Sequence, residues 1–148
     1  MKNKNPATGV NQNLHAYPNV RRENIRYRDT DRQGHVNNAV FSTFYECSRV
    51  AVLFDPERDL VSPQRQFVIA RSEIDFLAEV TWPGHVDIGM CITRVGTSSI
   101  VAEQAIFQNG VCASTARSIM VLMDTTTRKS TPLPEHILQS IADLKVVS

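Results

Sequence analysis

Between Ala39 and about Phe54 the apolar residues Val40, Phe44, Cys47, Ala51 and Phe54 recur at steps of four and three. That is the period of one helix face. Phe41, Tyr45 and Val52 widen this face, while Ser42, Thr43, Glu46 and Arg49 fall largely on the other side. Asn37 or Asn38 supplies an N-cap, and Asp55-Pro56 stops the segment. Before it, Val20 to Arg28 reads as a first strand that runs into the polar turn Asp29 to Gly34. After it the period falls to two. Val68, Ala70, Ile74 and Phe76 alternate with Arg71, Glu73 and Asp75, and Val86, Ile88, Met90 and Ile92 alternate with His85, Asp87, Gly89 and Thr93. Trp82-Pro83-Gly84 breaks the chain between these strands, and Gly96-Thr97-Ser98 predicts a turn before Ser99–Gln108. Asn109-Gly110 is a two-residue hairpin signal, and Val111–Met123 follows as the last long strand. Pro132 and Pro134 introduce a closing helix over about Glu135 to Leu144.

One strand, one long helix and a run of antiparallel strands make an α+β domain. A single helix cannot cover both faces of a sheet, so the strands are expected to curl around it. The opposite sheet face is then expected to stay partly exposed and apolar, with a second subunit as the simplest cover. Residues 1–18 are Asn-rich, carry Pro at both ends and show little periodicity. They read as a flexible N-terminal arm, leaving 19–148 as one domain, a size that buries a substantial core.

Composition narrows the classes. The 42% hydrophobic and 21% charged content is that of an ordinary globular protein. A formal net charge of +1 gives no global reason to expect nucleic acid or a membrane surface as partner. The one local cluster, Arg21, Arg22, Arg26 and Arg28, could face phosphates, with a solvated strand face as the simpler reading. Cys47, Cys91 and Cys112 are odd in number and lack a CxxC spacing, so neither a disulfide framework nor a thiolate zinc site is expected. A reducing, cytoplasmic setting fits. The N-terminus carries no apolar signal run, and no segment is long enough to span a bilayer. His15, His35, His85 and His136 show no paired metal spacing, and no metal is expected.

The chemistry concentrates in Asp29-Thr30-Asp31-Arg32-Gln33-Gly34-His35-Val36-Asn37-Asn38. This stretch sets a carboxylate a few residues before a helix start, with Gly34 allowing a tight turn. The first amides of a helix are unpaired donors with partial positive charge. They suit an anion or a polarised carbonyl oxygen. A carboxylate beside them stays ionised and can act as nucleophile or general base. Together they offer two requirements of acyl transfer, an attacking group and a place for the developing oxyanion. An Asp in this position also serves commonly as a turn or cap residue.

The string DTDRQGHVNNAVFSTFYECSR resembles the signature of the 4-hydroxybenzoyl-CoA thioesterase branch of the hotdog superfamily. In that family a DxDxxGHVNN-type turn leads into a helix with a Y-x-E-x-x-R-like ending, supplied here in slightly altered form by Tyr45, Glu46 and Arg49. Ile74-Asp75-Phe76-Leu77, Val80 to Val86, Val95 to Ser99 and Pro132-Leu133-Pro134 extend the resemblance over roughly 20–136.

The resemblance implies a hotdog fold, with a curved antiparallel sheet around the long helix and a short C-terminal helix. It implies homodimers or tetramers with active sites at the subunit interface, and hydrolysis of an acyl-CoA, coenzyme A being part of the substrate rather than a cofactor. Asp31, the second Asp of the pair, takes the catalytic place, and Asp29 is structural. The backbone N–H of Asn38 is the expected oxyanion donor, and Gly34, His35 and Asn37 are expected to shape the turn or touch substrate. Arg94, Ser98 and Ser99 flank a turn where the family approaches the CoA moiety. Glu46 ranks behind Asp31, with an intrahelical pair to Arg49 as its simpler role. Two other readings are a hotdog dehydratase of 3-hydroxyacyl thioesters, for which His35 is an available base, and a non-catalytic acyl-CoA-binding protein.

Overall fold

A computed structural model describes residues 9–146 of the chain. The elements are β1 (Asn19–Asn24), α1 (Asn38–Leu53), β2 (Arg65–Phe76), β3 (His85–Val95), β4 (Ser99–Gln108), β5 (Val111–Asp124) and α2 (Glu135–Ser140). The strands form one antiparallel sheet in the order β1-β3-β4-β5-β2. Asn109 and Gly110 both take positive φ at the β4–β5 turn, as a two-residue hairpin of this sequence requires. The sheet wraps one long helix, the arrangement that the resemblance implied.

Helix α1 begins where the sequence placed it. The Asn37 side chain accepts from the Ala39 amide, and the end falls just before Asp55-Pro56. Its buried face is turned from the expected one, however. Phe41, Phe44, Tyr45, Ser48, Arg49 and Val52 are buried, while Ala51 and Phe54 are exposed. Arg49 was expected on the polar side beside Glu46. It lies under the helix instead, where its Nη1 donates to Gln104 Oε1 at 3.2 Å and Gln104 Nε2 donates to the Tyr45 carbonyl at 3.0 Å. Burial lowers the Arg49 pKa, and the distant Glu46 charge opposes that shift. Apolar residues occur all round this helix, so periodicity alone leaves the phase ambiguous; the large rings Phe41, Phe44 and Tyr45 decide it by filling the space against the sheet.

Two core clusters lie between the sheet and the helices. Phe41, Phe44 and Tyr45 pack on Val36, Val80, Val86, Ile88 and Ile106. Val52 joins Met90, Ile92, Ile100, Met120, Leu122, the α2 residue Ile137 and Ile141 just after α2. Each fully buried side chain of this kind contributes roughly 1.5–3 kcal/mol.

The sheet departs from simple alternation at a bulge between Ile69 and Arg71. It inverts the parity of β2, so Phe67 packs on the Met120–Leu122 cluster while Ile74 packs on the Phe41–Ala116 cluster. Val68 and Ala70 therefore do not share a face with Ile74 and Phe76 as the pattern suggested. The first strand ends at Asn24 rather than Arg28: the Ile25 amide makes one last bond in the same register, to the Gly84 carbonyl, and a 3-10 turn, Tyr27–Asp29, follows. The closing helix stops at Ser140, with a 3-10 turn over Ala142–Leu144.

Part of the sheet face away from α1 is covered by the chain itself. Val10 and Tyr17 are buried there against Cys91, Ala105 and Phe107, with Leu14 and Val146 alongside. The Tyr17 ring meets Phe107 edge-on at 6.3 Å and lies against Gly89, where a Cβ would come within 2.5 Å of it. The flexible-arm expectation therefore does not hold for Val10–Tyr17; its first eight positions lie outside the described residues. Polar Asn and Gln spacing hid three apolar anchors that find their partners only across the sheet. No described helix is long and apolar enough to cross a membrane.

Candidate active site

The turn before α1 is built by its own backbone. The Asp31 amide donates to the His35 carbonyl at 2.7 Å, and the Gly34 amide donates to the Asp31 carbonyl at 3.0 Å. Gly34 sits at φ 81°, a conformation in which a Cβ would be strained. The Asp31 carboxylate closes the same turn, its Oδ1 accepting from the Gln33 amide at 2.8 Å and the His35 amide at 3.3 Å. Its Oδ2 has no partner among the described residues, and the side chain is exposed. One oxygen thus fixes the orientation and the other is left unbonded among the described residues.

The rim of the turn is anchored to the rest of the fold. Val36 donates to the Val80 carbonyl at 2.7 Å and Asn37 to the Asp29 carbonyl at 2.8 Å, while His35 bridges Thr81. Asp29 is buried and receives the Arg26 amide at 2.8 Å and the Arg26 guanidinium at 3.1 Å. It is therefore a structural clamp and not an available carboxylate. The His35 ring stands 3.1 Å from the exposed Glu79 carboxylate.

At the helix start the amides are nearly all taken. Ala39 donates to Asn37 Oδ1 and Val40 to the Asn37 carbonyl at 2.9 Å. Asn38 is the first residue of α1, and its N–H has no hydrogen-bond partner among the described residues. An unpaired first-turn amide and a half-free carboxylate seven residues before it in the chain are two groups that acyl transfer can use, one to hold an oxyanion and the other to attack or to activate water.

Comparison with known proteins places this chain in a family. The model of the thioesterase-like superfamily matches residues 25–141. This chain belongs to that superfamily. A thioesterase from Thermus thermophilus, solved in complex with coenzyme A and Zn, is 31% identical with TM-score 0.77, over 88% of this chain and 97% of that one. A predicted thioesterase from Bacillus stearothermophilus is 26% identical with TM-score 0.77, over 87% and 97%. A 1,4-dihydroxy-2-naphthoyl-CoA thioesterase from Synechocystis is 20% identical with TM-score 0.74, over 84% and 96%, a likeness that speaks for the fold alone. A search of curated protein sequences found no match. Family membership makes this chain a thioester hydrolase with the hotdog fold.

Within this thioesterase, Asp31, Gly34, His35 and Asn37 lie in the turn before α1, and Asn38 is the first residue of that helix. Arg94, Ser98 and Ser99 do not join them within one chain. His35 bridges Thr81 near the His85 end of β3, whereas Arg94 is at the far end of the strand, nine residues on from His85, or roughly 30 Å along an extended strand. Ser98 and Ser99 support the turn there, the Ser98 carbonyl accepting from Leu122 and the Ser99 carbonyl from Gly96. Arg94 instead lines a groove of about 400 Å³ with Arg71, Glu73, Glu103 and Arg117, on the sheet face away from α1. Among the described residues no group of three or more His, Cys, Asp or Glu is placed to hold a metal.

Sequence reasoning missed the residues that brace the turn from a distance. The Gln108 side chain grips both backbone groups of Thr81, accepting from its N–H at 3.0 Å and donating to its carbonyl at 2.8 Å. Glu79 is the partner of His35. The contact between Gln108 and Thr81 spans 27 residues, so no local signal marks it. Glu79 sits just before the Val80 to Val86 stretch that was singled out, but nothing in the spacing ties it to His35.

Proposed function

We propose that this thioesterase hydrolyses acyl-CoA thioesters with Asp31 as its catalytic carboxylate and the Asn38 N–H as oxyanion donor. The observation that carries the reading is that one short segment supplies both an Asp31 oxygen and an amide at the start of α1 that the fold itself leaves unbonded among the described residues. The bound coenzyme A of the Thermus thermophilus relative supports the substrate class. In one route Asp31 Oδ2 adds to the thioester carbon and the carbonyl oxygen gathers charge against the Asn38 amide. The C–S bond then breaks, CoA leaves as a thiolate that takes a proton from water, and a second water hydrolyses the mixed anhydride to free acid and the Asp31 carboxylate. In the other, Asp31 takes a proton from the attacking water. Both routes use the same two groups, and the low pKa of a thiol leaving group removes the need for a strong general acid.

The working unit in this reading is a homodimer joined along β2. That strand is a sheet edge of 12 residues with Val68, Ile69 and Phe76 exposed at 39%, 46% and 48%. A long apolar edge invites pairing with a second copy. The other edge, β1, is short and carries Arg21 and Arg22, which blunts it. A second copy would also be the source of any CoA contact from Arg94, Ser98 or Ser99.

Thiol release from short-chain, long-chain and aromatic acyl-CoAs tests the proposal, with Asp31→Asn alongside. Substitution is expected to lower kcat by about 10²-fold or more while leaving the melting temperature close to wild type. Absence of thiol release from every acyl-CoA by the wild type removes the substrate assignment. Full activity in a folded Asp31→Asn removes the site assignment and turns attention to Glu46. The His35–Glu79 pair is the one feature that favours dehydration of a 3-hydroxyacyl thioester, and an enoyl product instead of free thiol would identify that reaction.

A further inference from the structure

Beside the Asp31 turn two large aromatic rings are left in solvent. Tyr27 is 73% exposed and Trp82 is 45% exposed, and they meet edge to face at 5.3 Å. Ring pairs are normally buried for the area they remove from water, so an exposed pair has surface to offer. Its position is fixed from both sides. Ile25 donates to the Gly84 carbonyl at 2.9 Å, His35 bridges Thr81, and Gln108 grips Thr81. Tyr27 is four residues from Asp31 and therefore within roughly 15 Å of it, Cα to Cα.

The arginines in the stretch from Arg21 to Arg32, which contains Tyr27, divide into two groups. Arg21 is paired with Glu23 at 2.6 Å, Arg22 with Asp87 at 2.9 Å and Arg26 with Asp29 at 3.1 Å. Arg28 and Arg32 are exposed and have no ion-pair or hydrogen-bond partner among the described residues. They stand on either side of Asp31 in the chain, Arg28 next to Tyr27. Exposed π-faces next to unneutralised guanidinium groups are the combination that binds a nucleobase and its phosphates together: the rings stack on the base and the guanidiniums fork onto phosphate oxygens.

We propose that Tyr27 and Trp82, with Arg28 and Arg32, form the docking site for the adenosine phosphate end of the thioester substrate. The site rests on the acyl-CoA reading for its substrate and extends it to the part of the molecule remote from the reacting carbon. Nucleotide binding there would hold the flexible pantetheine arm so that the thioester lies against Asp31. It also removes the need for a distant arginine such as Arg94 to reach the phosphates within the same chain.

Trp82 is the single tryptophan of the chain, so its fluorescence reports on this site directly. Adenosine 3′,5′-bisphosphate added to the full-length protein is expected to quench it saturably, and Arg28→Ala/Arg32→Ala should weaken the apparent affinity by at least about tenfold. In thiol-release kinetics, Tyr27→Ala and Trp82→Ala should each raise KM for an acyl-CoA by about tenfold. KM for the matching acyl-pantetheine, which lacks the nucleotide, should be unchanged in both. Tyr27 is exposed enough to be truncated without unfolding, so it carries the test if Trp82→Ala does not fold. A lack of saturable quenching overturns the proposal. So does an equal rise in KM for both substrates, which would make the rings a support for the turn or an acyl contact. Quenching without hydrolysis of any thioester would keep this site and remove the acyl-CoA hydrolase reading, while hydrolysis dependent on Asp31 without quenching would do the reverse.

Discussion

Replacing Gly89 by Ala tests how firmly the N-terminal segment is bound to the sheet. Gly89 lies on β3 beneath the Tyr17 ring, and a Cβ there would stand 2.5 Å from Cγ, 2.6 Å from Cδ2 and 2.9 Å from Cβ of Tyr17. Those separations are far inside van der Waals contact, and the obstacle is the base of the ring rather than the tip of a flexible chain. The segment has two ways to respond. It can shift with its anchors still in place, the ordinary outcome of overpacking, at about 1–3 kcal/mol. It can also come away, exposing Tyr17 and Val10, which are only 7% and 3% exposed now; that forfeits roughly 1.5–3 kcal/mol for each side chain together with the Tyr17 hydroxyl bond to the Asn11 carbonyl. The shift is the cheaper response and sets the expected loss. At roughly 2–4 °C per kcal/mol for a chain of this size, the melting temperature should fall by about 2–12 °C.

Thermal unfolding followed by circular dichroism, with urea titration for the free energy, measures this. Thiol release should be unaffected, because Gly89 faces away from α1 and takes no part in the Asp31 turn. The Tyr17→Ala chain removes the obstacle, so adding Gly89→Ala to it should cost much less than in the wild type. A coupling of about 1–3 kcal/mol between the two substitutions is expected. A melting temperature for Gly89→Ala within a degree or so of wild type, or simple additivity of the two changes, would refute the packing argument.

Two further outcomes follow from buried polar groups. Burial pushes the Cys91 and Cys112 thiols up to about 11, so both stay protonated at pH 8 and should resist brief alkylation in the native state. Mass spectrometry should then find Cys47 modified first, and all three cysteines only in denaturant; raising the pH toward 11 should speed labelling of the other two in the folded protein, and equal labelling at pH 8 would contradict this. Tyr45, whose own pKa burial also raises, donates from its hydroxyl to Ser114 Oγ at 2.7 Å, and Ser114 donates onward to the Asp75 carbonyl. Tyr45→Phe should therefore cost only about 0.5–1.5 kcal/mol in urea unfolding, since Ser114 keeps one partner; a loss above 3 kcal/mol would mean the hydroxyl does more than this bond.

What the sequence determined by itself was local. A cap for α1 at Asn37 or Asn38, Asn109-Gly110 as the β4–β5 turn and the polar turn around Asp31 and Gly34 all rest on contacts within a few residues, where backbone sterics and short-range hydrogen bonds decide; the structure chose Asn37. The separation of Asp29 from Asp31 was legible from the motif, and the structure supplies its cause in the Arg26 clamp. Tertiary structure decided whatever depended on a partner far along the chain. The phase of α1 was set by ring packing on β3 and β4, which took Arg49 inward to Gln104. The bulge at Ile69–Arg71 reset the parity of β2, a register effect that alternation cannot show. Val10 and Tyr17 looked like part of a polar arm until the sheet offered them Gly89, Cys91 and Phe107. The same reason separates Arg94 from the active-site turn: spacing along a sequence fixes neighbours over one turn or one strand, and only the folded sheet fixes which ends of its strands meet.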